Sequence, residues 1–164
     1  MVKFLKYTLF VVILLEFIRC SSSCTRDDSA TNTTQKKVIT KTRDEKTGIV
    51  TDTRRYLMWQ DNAIGTKTTL NDARKKCENL TLGNYKDWRL PELYELATII
   101  DKSRRPAISS VFVYTNHEFY WSTSPSAYFP DDFVSTIKFW NGRFSRDDKE
   151  KAKCFSRCVR RIPF

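Results

Sequence analysis

A single histidine, His117, stands in a chain of 164 residues that also holds only four glycines and five prolines. So little Gly and Pro excludes collagen-like and low-complexity architectures. One histidine removes most zinc constellations, which need several His or Cys ligands in close spacing, and leaves a Ser-His-Asp triad one candidate base. Internal repeats are absent. So is an unbroken apolar run of the ~20 residues that a spanning helix needs: the stretch from Tyr7 to Leu15 is closed by Glu16 and Arg19. What is present is globular in character, with 40% hydrophobic residues, 29% charged residues, and four Trp, seven Tyr and eleven Phe. The length holds one core of ordinary size plus an appendage, not two cores.

The N-terminus reads as an address. Lys3 and Lys6 precede the apolar run, and Ser21, Ser22 and Ser23 follow it, the pattern of a bacterial export signal over residues 1–23. Cys20 and Cys24 lie at its exit, each a candidate for lipidation. Cys24 has the better small-residue flank, although the usual Leu three positions earlier is missing. One acyl chain supplies only part of a stable membrane attachment, so plain secretion with Cys24 free to form a disulfide stays open beside a lipid anchor. The full chain carries 29 basic and 19 acidic residues, a net of +10. Removing the signal takes three of the former and one of the latter and leaves +8. An exported bacterial protein rarely meets nucleic acid, so the expected polyanions are acidic polysaccharide or the anionic envelope. The expected location is the periplasm, outer membrane or cell surface.

Residues 24–47 are polar and read as a flexible tether, and 48–164 as the folded domain. Leu70, Ala73, Cys77 and Leu80 recur at helical spacing, with Thr69 as cap and Gly83 as terminator. Arg74, Lys75 and Lys76 project from the other side as a solvated face. A second helix is expected to start with Pro91 in its first position and Glu92 and Glu95 in its first turns, burying Leu93, Leu96, Ile99 and Ile100. Strands are expected at Ile49–Val50, Tyr56–Trp59, Phe119–Thr123, Val134–Trp140, Arg143–Ser145 and about Lys153–Arg160, with Asn141-Gly142 as a hairpin turn. Strands, two helices, then strands again make the class α+β with a small antiparallel sheet.

In an oxidising compartment the cysteines are expected to pair. On a regular strand Cys154 and Cys158 stand ~13 Å apart, beyond the ~7 Å reach of a disulfide. Cys77, on the buried side of the first helix, is then the natural partner for one of them, and which one stays open at this point.

Five segments in order carry a resemblance: Val50-Thr51-Asp52 with Leu57-Met58-Trp59-Gln60, Asp72-Ala73 with Cys77 and Leu80, Asp87-Trp88-Arg89-Leu90-Pro91 with Glu95-Leu96, Tyr120-Trp121-Ser122-Thr123, and Phe139-Trp140-Asn141-Gly142 with Arg157-Cys158-Val159-Arg160. Over about residues 48–161 the chain resembles the Legionella collagen-like (Lcl) C-terminal domain family. That resemblance implies a compact fold similar to C-type lectins and formylglycine-generating enzymes. It also implies a disulfide between Cys77 and Cys158, leaving Cys154 unpaired, and a role in adhesion or glycan binding for an exported protein. The lectin-type calcium motifs are missing: Gly142 replaces the ligating Asp of Trp-Asn-Asp, there is no Glu-Pro-Asn, and Asp131-Asp132 and Asp147-Asp148 read as turn features. Neither a metal site nor a cofactor is expected.

The leading expectation is therefore a non-enzymatic surface module for acidic glycans or a protein partner. Its ligand face would be the irregular segments Lys102–His117 and Pro125–Asp132. There Lys102, Arg104 and Arg105 would meet acidic groups, and Tyr128 and Phe129 would stack on sugar rings or bury against a partner. The alternatives are a cysteine-dependent enzyme, by analogy with the formylglycine-generating relatives and through Cys154 and Cys158, and a purely structural lipoprotein. Trp59, Trp88 and Trp121 are expected in the core. Arg89 is expected half-buried and holding backbone carbonyls, and His117 is assigned no role.

Overall fold

The computed structural model describes residues 40–163. Cys20, Cys24, the export signal and most of the expected tether lie outside the described residues. Among the described residues seven strands and two helices follow in the order β1 (Lys41–Asp44), β2 (Ile49–Asp52), β3 (Leu57–Gln60), α1 (Leu70–Glu78), α2 (Leu93–Ala97), β4 (Phe119–Pro125), β5 (Phe133–Lys138), β6 (Arg143–Asp148) and β7 (Val159–Arg161). They form two antiparallel sheets, one ordered β1-β2-β3-β7 and the other β4-β5-β6. The class is α+β, as expected. The C-type lectin-like part of that expectation remains an implication of the resemblance.

The first sheet follows from alternation. Leu57 and Trp59 are buried while Met58 and Gln60 are half-buried, and Trp59 lies opposite Val50 across the β2–β3 pair. Strand β1 falls inside the segment expected to be a tether: Lys41 pairs with Asp52 and Arg43 with Val50, so the folded part reaches back at least to Lys41. Polarity alone hid this strand, whose side chains alternate between half-buried and exposed.

Helix α1 buries Leu70, Ala73 and Cys77, and Thr69 caps it by accepting the Asp72 N–H. Arg74, Lys75 and Lys76 are exposed. The helix closes at Asn79, before Gly83. That glycine (φ +60°) instead serves a tight turn in which Leu82 and Tyr85 exchange backbone hydrogen bonds of 3.1 Å. Helix α2 is shorter than the periodicity predicts. Pro91 lies outside it, because its carbonyl accepts the Thr123 N–H of β4 at 2.8 Å. The helix starts after Glu92 with a reciprocal capping box between Glu92 and Glu95. Ile99 is buried beyond the helix end, and Ile100 is half-buried there.

Two apolar clusters fill the interior. One gathers Trp59, Leu96, Ile99, Phe112, Ile137 and Phe139; the other gathers Leu70, Cys77, Trp88, Leu90, Trp121 and Cys158. The expected closing strand over Lys153–Arg160 is mostly not a strand. Cys154 bridges Thr68 and Phe155 bridges Tyr120 before β7 begins at Val159. The segment thus crosses from one sheet to the other, and the regular spacing assumed between Cys154 and Cys158 does not apply to it. Cys77 and Cys158 form a disulfide with their Cα atoms 5.4 Å apart, and Cys154 is a buried free thiol.

Candidate functional site

The second sheet carries the most chemically distinctive surface. Residues 126–132 connect β4 to β5 as a closed turn: the Ser126 N–H donates to the Phe133 carbonyl and the Phe133 N–H to the Phe129 carbonyl, both at 3.0 Å. The Lys149 ammonium anchors its tip by donating to the carbonyls of Pro130 and Asp131 at 2.8 Å each. Held this way, Tyr128 is 79% exposed and Phe129 51%. The Arg146 guanidinium of β6 stands 5.3 Å from the Phe129 ring centre and 6.0 Å from that of Tyr128. This is a cation–π pairing with both rings. An open cleft of about 540 Å³ runs along β6, lined by Ser126, Tyr128, Ser135, Arg143, Phe144 and Arg146. Phe144 is half exposed. Among the described residues neither Arg143 nor Arg146 has a carboxylate within ion-pair distance.

The expected site is only partly assembled. Lys102, Arg104 and Arg105 are exposed on a loop after α2. The Arg105 guanidinium turns back onto that loop, donating to the carbonyls of Lys102 (3.1 Å) and Arg104 (2.7 Å). The loop packs against the β5–β6 turn: a Cβ on Gly142 (φ +70°) would sit 2.8 Å from Ile100 and 3.4 Å from Lys102 Cγ. Tyr128 and Phe129 lie toward the other end of that hairpin. Further along Lys102–His117, Ala107, Ile108 and Phe112 are buried, while Val113 and Tyr114 are exposed. His117 is exposed and its ring lies 5.4 Å from that of Trp140. Sequence reasoning missed Arg143, Phe144 and Arg146. The available signal was a strand, Arg-Phe-Ser-Arg, with no apolar alternation and hence no buried side.

The residues of the motifs named in the sequence are locked into one another. Arg160 pairs with Asp87 at 2.7 Å and lies 3.8 Å over the Tyr85 ring. Arg89 and Val159 exchange backbone hydrogen bonds at 2.9 Å. A family model, the Lcl C-terminal domain, matches residues 48–160. The chain belongs to this family. No curated protein sequence matches it. Lcl C-terminal domains are associated with bacterial surface proteins.

In this Lcl C-terminal domain Trp59, Trp88 and Trp121 are buried as expected. Arg89 differs: its main partner is a carboxylate, with Nη1 and Nη2 reaching Glu95 at 2.7 and 2.6 Å, and the one carbonyl contact, to Leu90, is long at 3.4 Å. Burial and the negative Asp147 push the Cys154 thiol up to about 12. Such a thiol carries almost no thiolate at neutral pH. Among the described residues no group of His, Cys, Asp or Glu has the arrangement to hold a metal ion. The pair Asp147-Asp148 serves local structure: Asp147 accepts the Thr136 hydroxyl at 2.6 Å, and Asp148 accepts the Glu150 and Lys151 N–H groups at 2.9 Å. No helix among the described residues is long and apolar enough to cross a membrane.

Proposed function

We propose that this Lcl C-terminal domain is an exported, non-catalytic binding module whose β6 cleft takes acidic sugar units. The observation that carries the reading is the Arg146 guanidinium held over Tyr128 and Phe129, with Arg143 on the same cleft and no carboxylate among the described residues neutralising either. Exposed ring faces accept the C–H faces of a sugar, and guanidinium groups pair bidentately with sulfate or carboxylate. The absence of catalysis belongs to the same reading, and the buried, protonated Cys154 supports it, since an activated cysteine needs the opposite environment. Export through the N-terminal signal, with Cys24 or Cys20 as lipidation site, completes the proposal.

Heparin is the probe that tests it. The protein is expected to stay on a heparin column well above low ionic strength and to elute as salt screens the contacts. Arg146→Ala and Arg143→Ala are each expected to weaken binding about tenfold, and Tyr128→Ala to weaken it with no change in charge. A protein that leaves the column at low ionic strength overturns the reading.

A further inference from the structure

Strand β6 is the outer strand of its sheet, with β5 on one side only, and Arg143 to Arg146 are all exposed. The 3.0 Å bond from the Lys149 N–H to the Asp132 carbonyl sets the phase of the ladder. By the alternation of antiparallel pairing, Arg143, Ser145 and Asp147 direct their backbone groups at β5, and those of Phe144, Arg146 and Asp148 face outward. Proteins usually blunt such an edge with a bulge, a proline or charge. The β5–β6 pair runs in one unbroken register, and β6 holds no proline. Its charges are of both signs, basic at one end and acidic at the other.

We propose that β6 pairs antiparallel with β6 of a second copy of this chain, joining two three-stranded sheets across a two-fold axis. An axis perpendicular to the sheet keeps each side chain on its face. Opposed residues must then both be odd- or both even-numbered, which leaves two registers with five residues overlapped. One is centred on Ser145 and sets Arg143 opposite Asp147 twice and Phe144 opposite Arg146 twice. The other is centred on Arg146 and sets that residue against its own copy, with Phe144 opposite Asp148. Opposite charges across strands stabilise and like charges directly opposed destabilise, so the Ser145-centred register is selected. It also aligns the outward backbone groups of Phe144 with those of Arg146. Asp147 is ready for it, since its Oδ2 holds Thr136 and leaves Oδ1 for the incoming arginine. Arg143 is then held by the partner's Asp147, while Arg146 stays with its aromatic pair on the other side of the strand, so a repeating acidic polymer that meets Arg146 of one copy can reach that of the second, which multiplies affinity. That last consequence rests on the cleft reading above; the pairing itself does not.

Sedimentation velocity of the purified full chain, without ligand, tests the pairing. A monomer–dimer equilibrium that shifts with protein concentration is expected. Arg143→Glu turns both Arg–Asp contacts into like-charge contacts and is expected to weaken the dimer about tenfold. Asp147→Lys does the same from the other side, and an equimolar mixture of the two variants is expected to regain the dimer, because every contact again joins opposite charges. Should Asp147→Lys fail to fold, Phe144→Pro removes one outward N–H while leaving the β5 ladder intact, and is expected to abolish the dimer. A wild-type chain monomeric at every concentration, a variant that dimerises as wild type does, or a mixture of folded variants that stays monomeric overturns the proposal. Heparin retention by a monomeric protein would leave the cleft reading intact, so the two fail separately.

Discussion

Glu95 is a carboxylate only 1% exposed, and what keeps it ionised is local. Burial pushes its pKa up. The Arg89 guanidinium and the Glu92 N–H, at 2.6 to 2.9 Å, outweigh that and hold it below the ordinary glutamate range. A carboxylate lowered on folding adds stability that is complete above its unfolded pKa and lost as pH falls through the folded one. Glu95→Gln is therefore expected to cost about 2 kcal/mol at neutral pH, with the difference from wild type shrinking below ~pH 4. Urea unfolding midpoints of the two proteins at neutral and acidic pH check this; a constant gap across the range would show that the loss is one of packing.

Among the elements, α1 and the segment leading into β7 are tied by the Cys77–Cys158 bond, which closes a loop of 81 residues. In the chain-entropy account such a loop stabilises the fold by about 4 kcal/mol. Replacing both cysteines by serine is expected to lower the thermal midpoint by roughly 15 °C, measured by calorimetry, and a peptide map under non-reducing conditions should show Cys77 joined to Cys158. The helix that carries Cys77 was legible because Leu70, Ala73 and Cys77 repeat at the helical period, and the β2–β3 hairpin because two short apolar stretches, Ile49-Val50 and Tyr56 to Trp59, flank a polar turn. Helix α2 was over-read: its capping glutamates were visible, but nothing local told that Pro91 is claimed by Thr123 of β4, 32 residues on. The Cys154–Cys158 stretch was misread for the same kind of reason, since its partners Thr68 and Tyr120 belong to distant segments. Half of the candidate site could be read, as Tyr128 and Phe129 stand out in a polar turn. Arg143 and Arg146 could not, because only the sheet brings them alongside.

At the scale of the whole molecule, three remote segments converge on one buried carboxylate. Asp61 accepts from Arg43 (2.9 Å), Arg157 (2.8 Å) and the N–H groups of Val113 and Tyr114 (2.8 and 3.1 Å), while Arg157 also holds the Tyr114 carbonyl and Thr115. Asp61→Ala leaves the buried Arg157 guanidinium without its carboxylate, while Arg43 keeps Glu45, and is expected to cost about 3 kcal/mol. Hydrogen exchange at the Val113 and Tyr114 amides should accelerate beyond what the global loss accounts for, and unchanged relative protection there would contradict the assignment. Asp87, Arg89, Arg157 and Arg160 are engaged in the same manner, each facing another part of the same chain. A pattern built from such positions reports a shared skeleton and is silent on cargo. On the cleft reading proposed above, what distinguishes one such domain from another is carried by the rim of the second sheet, at the positions of Tyr128, Arg143 and Arg146, and not by this skeleton.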